Sequence, residues 1–128
     1  MRAALAAGLA LAASAAPAQE PPLWANLAEC SAVFRATALS GGYGGVTAEQ
    51  IAAAKTAAAA FRARAVEVAG EMGQTEAEAD VASIMVYLEP RWENRIDRLF
   101  SVKSNLDWFG YCGRLGREQG VLIPDLAP

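Results

Sequence analysis

Residues 47–73 read TAEQIAAAKTAAAAFRARAVEVAGEMG. Thr47 and Gln50 stand three apart, the spacing of a capping box, in which each side chain bonds the other residue's backbone N–H at a helix start. Behind them Ile51, Ala54, Ala58, Phe61, Ala65, Val68 and Met72 recur at alternating intervals of three and four. That heptad rhythm gathers them on one helical face. Its small members let a neighbouring backbone come close. Gly73 ends the run, because glycine holds a helix about 1 kcal/mol less well than alanine.

The same logic extends to both sides. Upstream, Leu23, Leu27, Cys30, Phe34 and Ala38 share one face of a helix expected over Leu23–Leu39, with Pro21 and Pro22 just before it. Proline is tolerated there because the first turn's N–H groups are unpaired anyway. The glycines of 41–45 then break the pattern. Downstream, Thr75 and Glu78 predict a second capping box. Val81, Ile84, Met85, Leu88, Trp92, Ile96 and Leu99 form the apolar face of the third helix. Pro90 interrupts that run without disturbing its rhythm, which predicts one kinked helix. A fourth, short helix carries Leu106, Phe109, Cys112 and Leu115. Ser104 and Asp107 are expected to cap its start, and Gly120 to end it. The tail, 121–128, is expected to lie along the bundle. No stretch alternates with period two. Four helices and short loops predict an all-α fold, a small antiparallel four-helix bundle.

Residues 1–18 read as an address. Arg2 precedes an uncharged run of Ala, Leu, Gly and Ser over 3–16, and Ala16-Pro17-Ala18 is a small-x-small site. This is the layout of a cleaved secretory signal peptide. The apolar run is shorter than the roughly 20 residues a membrane-crossing helix needs. The expected mature chain, 19–128, is one helical domain with no transmembrane segment. Lipid attachment at Cys30 is excluded because Glu29 holds the position where a small residue belongs. An exported chain with two cysteines predicts a disulfide between Cys30 and Cys112, joining the first helix to the last. The localisation expected is the periplasm of a Gram-negative bacterium.

Composition narrows the chemistry. The 128 residues include 30 alanines and no histidine, with a net charge of −3. The acidic balance argues against nucleic acid as a partner. Without histidine there is no Ser-His-Asp triad, no His-built zinc or di-iron site and no His-ligated haem. No Cys-x-x-Cys motif is present, and no calcium loop. Met72 and Met85 sit on apolar stripes, where packing is the simpler role. No serine stands in a Gly-x-Ser-x-Gly setting. Glu89, Glu93 and Asp97 share one face, but a single stripe reads as facing solvent rather than as a hydrolase cleft. No catalytic residue, metal site or cofactor is assigned, and the sequence leans against an enzyme.

Three binding features remain. Arg91, Arg95 and Arg98 recur at i, i+4, i+7 and predict a cationic ridge able to hold carboxylates or phosphates. Tyr43 stands in a glycine loop, Gly41-Gly42-Tyr43-Gly44-Gly45, that can present it to a partner. Trp92, Trp108 and Phe109 outline an apolar pocket near the cysteines, within an aromatic cluster that includes Trp24 and Tyr111. The expectation is a non-catalytic accessory protein that binds another periplasmic or membrane-bound protein through a helix face. The alternatives are a small-ligand binder, a chaperone-like helical protein and, last, a small hydrolase using carboxylates. The gross plan resembles that of small periplasmic acid-stress chaperones, which are also exported, helical and held by one disulfide. That likeness lies in architecture and transfers no residue. The heptad stripe serves a dimer as readily as a bundle core, so the oligomeric state stays open.

Overall fold

The structure is a computed structural model and describes residues 20–41 and 45–121. The signal peptide expected at 1–18, Tyr43 and the tail after Val121 lie outside the described residues. Among the described residues four α-helices and one 3-10 turn follow in order: α1 Leu23–Leu39, α2 Ala48–Glu71, α3 Ala77–Glu93, the 3-10 turn Ile96–Arg98, and α4 Lys103–Glu118. No strand occurs among the described residues. The chain is an all-α helical bundle.

Helix α1 is the hub, packing against α2, α3 and α4. The expected single apolar stripe understates it. Leu27, Ala28, Cys30, Ala32, Val33, Phe34 and Ala36 are all buried, and they point in every direction around the helix. Burial on all sides excludes the polar face of a surface helix. Its buried hydroxyls therefore bond backbone carbonyls: Thr37 Oγ1 donates to Val33 O at 3.0 Å, and Ser40 Oγ to Thr37 O at 2.6 Å.

Helix α2 begins as its sequence predicts. Gln50 N donates to Thr47 Oγ1 at 3.1 Å, and Thr47 N to Gln50 Oε1 at 2.9 Å. Ala54, Ala57, Phe61, Ala65, Val68 and Ala69 form its buried face. Alanine at the crossing lets Ser31 of α1 reach the carbonyl of Ala58 at 2.7 Å. Met72, the last member of the expected stripe, is instead half exposed. It sits past the end of the helix, where Gly73 takes φ +96° and Gln74 N bonds back to Ala69 O at 2.9 Å. That is a glycine-terminated turn in the left-handed region. Gly120 (φ +70°) closes α4 in the same way, with Val121 N on Gly116 O at 2.8 Å.

Three expectations about helix ends are corrected. The capping box at Thr75 and Glu78 does not form. Thr75 and Glu76 are used in the turn after Gly73, and α3 starts at Ala77 with no side-chain cap. The kinked helix through Pro90 stops at Glu93, and a separate 3-10 turn follows. Proline supplies no N–H to the ladder, and beyond it the bonding tightens: Arg95 N bonds Trp92 O at 3.0 Å. Ser104 does not cap α4, which starts one residue earlier at Lys103. Asp107 pairs with Lys103 at 2.9 Å instead.

Cys30 of α1 and Cys112 of α4 form a disulfide with Cα atoms 5.6 Å apart, linking the first helix to the last. Both are wholly buried. No described helix is long and apolar enough to cross a membrane.

Candidate functional site

The outward face of α3 is the feature that packing does not explain. A helix normally turns charged residues to solvent. Here Ala79, Ser83, Val86, Tyr87 and Pro90 recur at turn spacing on the exposed side, and none is charged. Val86 is 77% exposed and Tyr87 71%. The opposite side of the helix, Val81, Met85, Leu88 and Trp92, is buried. Helix α3 thus carries apolar side chains inward and an uncharged stripe outward.

The charged residues of α3 lie around that stripe. Glu89 and Glu93 do not form a solvated acidic row with Asp97, as the sequence suggests. Both turn to Arg35 of α1, Glu89 at 3.3 Å and Glu93 in close contact, and Arg62 of α2 approaches Glu89 at 3.7 Å. This network ties three helices together and holds both carboxylates against guanidinium groups. Asp97 is exposed on the 3-10 turn, beyond the end of α3.

The expected arginine ridge is broken. It requires one continuous helix over 91–98, but α3 ends at Glu93 and the backbone re-forms as a 3-10 turn. Arg91 is exposed at the end of α3. Arg95 folds back, its guanidinium 4.6 Å from the centre of the Trp92 ring, with Nη1 3.5 Å from Asn105 Oδ1. Arg98 is exposed, and its carbonyl accepts a bond from Asn105 Nδ2 at 3.1 Å. Of the three arginines, Arg91 is the one on α3 that borders the uncharged stripe. Asn105, a buried polar residue, fastens the 3-10 turn to α4. Nothing in its sequence setting marks it, because its partners come from the turn's geometry.

The expected apolar pocket divides in two. Trp92 is wholly buried, and its indole N–H donates to Glu29 Oε1 at 3.0 Å. Trp108 meets Trp92 edge-on, at 5.9 Å between centroids, and Tyr111 at 5.4 Å. Phe109 turns the other way, packing edge-on to Phe34 and stacked on Phe100. Adjacent helical residues point about 100° apart, so Trp108 and Phe109 cannot line one wall. Among the described residues Trp24 joins neither ring group. On the Trp108 side an open cleft of about 580 Å³ is lined by Asn26, Ser104, Asp107, Trp108, Tyr111 and Arg114, together with Glu20 and Pro21. Burial raises the Tyr111 phenol above the ordinary tyrosine value; Glu118 adds to this, while Arg114 and a hydrogen bond with Asn26 oppose it.

Among the described residues no group of three or more Asp, Glu, His or Cys side chains is placed to hold a metal ion. Comparison with known proteins gives no match: no family model, no curated protein and no solved structure is similar to this chain.

Proposed function

We infer that the chain is a non-catalytic interaction protein that binds a protein partner through the outward face of α3. The observation that carries this reading is the uncharged stripe itself, with Val86 and Tyr87 largely presented to solvent on a well-formed helix. Adjacent exposed apolar side chains ringed by polar residues are a feature of contact sites, and tyrosine is enriched at their energetic centres. The compartment we propose is the bacterial periplasm. A buried disulfide suits an oxidising environment, and the leader expected at 1–18 is the means of export.

The test is capture by tagged protein from the periplasm, comparing the natural chain with Val86→Glu. Position 86 is too exposed for the substitution to disturb the core. The reading expects the capture of partners to fall at least tenfold. Unchanged capture would sink it.

The cleft beside Trp108 favours a second reading, a small-ligand binder. It combines aromatic edges with amide, hydroxyl, carboxylate and guanidinium groups, the mixture usual in ligand sites. Native mass spectrometry separates the two. A co-purifying small molecule lost in Trp108→Ala supports the cleft, and a co-purifying polypeptide lost in Val86→Glu supports the helix face.

A further inference from the structure

Resting on the reading of α3 as a docking face, we propose that this face takes a second copy of the chain, the two α3 helices lying antiparallel about a two-fold axis. The argument starts from two charges. Among the described residues neither Asp80 nor Arg91 takes part in an ion pair. Asp80 lies in the first turn of α3 and Arg91 in the last. Eleven residues separate them, close to three full turns, so both fall on the same edge of the helix. The midpoint between them lies between Met85 and Val86, beside the two most exposed apolar residues of the stripe.

A two-fold axis through that midpoint, perpendicular to the helix, exchanges the two ends. It sets Asp80 of each copy against Arg91 of the other, forming two equivalent ion pairs. It also sets the small end of the stripe, Ala79 and Ser83, against the bulkier end at Pro90, and brings Val86 and Tyr87 of both copies together at the centre. Contacts that repeat in this self-complementary way are what a two-fold dimer requires. A parallel pairing would instead set Asp80 beside Asp80 and Arg91 beside Arg91. The other edge of the stripe carries Glu89 and Glu93, which Arg35 and Arg62 already neutralise, so the antiparallel arrangement buries no uncompensated acidic row.

The stripe is about 16 Å long at 1.5 Å per residue. A single helix pair of that length falls below the roughly 1,200 Å² of a standard stable interface. The dimer is therefore expected to be reversible and dependent on concentration.

Sedimentation velocity on the oxidised chain, from about 1 µM to about 1 mM, tests this. The natural protein is expected to shift from monomer to dimer across that range. Val86→Glu, which places two carboxylates face to face at the axis, is expected to weaken association at least tenfold. Asp80→Arg and Arg91→Asp are each expected to weaken it, and the double variant Asp80→Arg/Arg91→Asp to restore it. A chain that stays monomeric throughout overturns the proposal, as does a dimer indifferent to Val86→Glu or a double variant no better than the singles. A monomeric chain that still loses partner capture on Val86→Glu overturns the dimer and leaves the docking face standing. A chain whose association and capture both ignore Val86→Glu overturns both.

Discussion

The indole N–H of Trp92, on α3, donates to the carboxylate of Glu29, on α1, at 3.0 Å. Trp92 is wholly enclosed, so its indole N–H depends on that acceptor. Glu29→Ala leaves a buried donor unpaired and is expected to cost about 1–3 kcal/mol. Glu29→Gln keeps an acceptor oxygen and is expected to cost under about 1 kcal/mol. Urea unfolding of both variants checks this, and equal losses would show that the hydrogen bond is not what matters.

The Cys30–Cys112 link closes a loop of 83 residues. Restricting the unfolded chain in this way stabilises the fold by about 4–5 kcal/mol in the chain-entropy account. The alanine-rich core buries little area per residue and contributes correspondingly little. Reduction is therefore expected to remove most of the folding stability, read as a large drop in the urea midpoint with and without reductant. A drop equivalent to less than about 1 kcal/mol would contradict this.

Alanine at the crossing of α1 and α2 is a packing requirement at some positions only. Ala57 has no exposed surface, whereas Ala52 and Ala59 face solvent. Ala57→Leu forces extra methyl groups into a closed contact and is expected to cost about 1–3 kcal/mol. Ala52→Leu and Ala59→Leu are expected to change stability by less than about 0.5 kcal/mol. Thermal melts of the three variants separate the two classes of position.

Tyr111 gives a prediction about pH. Its phenol ionises above the ordinary value of 10.0, chiefly because burial disfavours the charged form. A group whose pKa is raised on folding contributes its full stability below the unfolded value, and loses it as pH rises through the folded value. The fold is thus expected to weaken in strong alkali as Tyr111 ionises, and Tyr111→Phe to remove that component of the pH dependence. Ultraviolet titration of tyrosinate is expected to show a late-ionising component that is absent from Tyr111→Phe.

Some local rules written in adjacent residues are legible in the sequence, although the caps expected at Thr75 and Ser104 do not form. The capping box at Thr47 and Gln50, the glycine stops at Gly73 and Gly120 and the cysteine pair all follow from short-range chemistry or from counting. What depends on the third dimension was not legible. The apolar rhythm of α1 gives one face, but three neighbours bury it on all sides. Arg91, Arg95 and Arg98 keep helical spacing in sequence, yet the helix stops between the first and the second. Glu89 and Glu93 look like a solvated row until Arg35 of α1 is placed beside them. The uncharged stripe Ala79, Ser83, Val86, Tyr87 and Pro90 is present in the sequence at helical spacing. It carries meaning only once the opposite face is known to be the buried one.

Photo-crosslinking in living cells from a probe at position 87, compared with one at exposed Ala59 on α2, tests the docking face most directly. The account predicts that position 87 yields a discrete crosslinked polypeptide, lost on Val86→Glu, and that position 59 yields none. Equal products from both positions, or none from position 87, would contradict it.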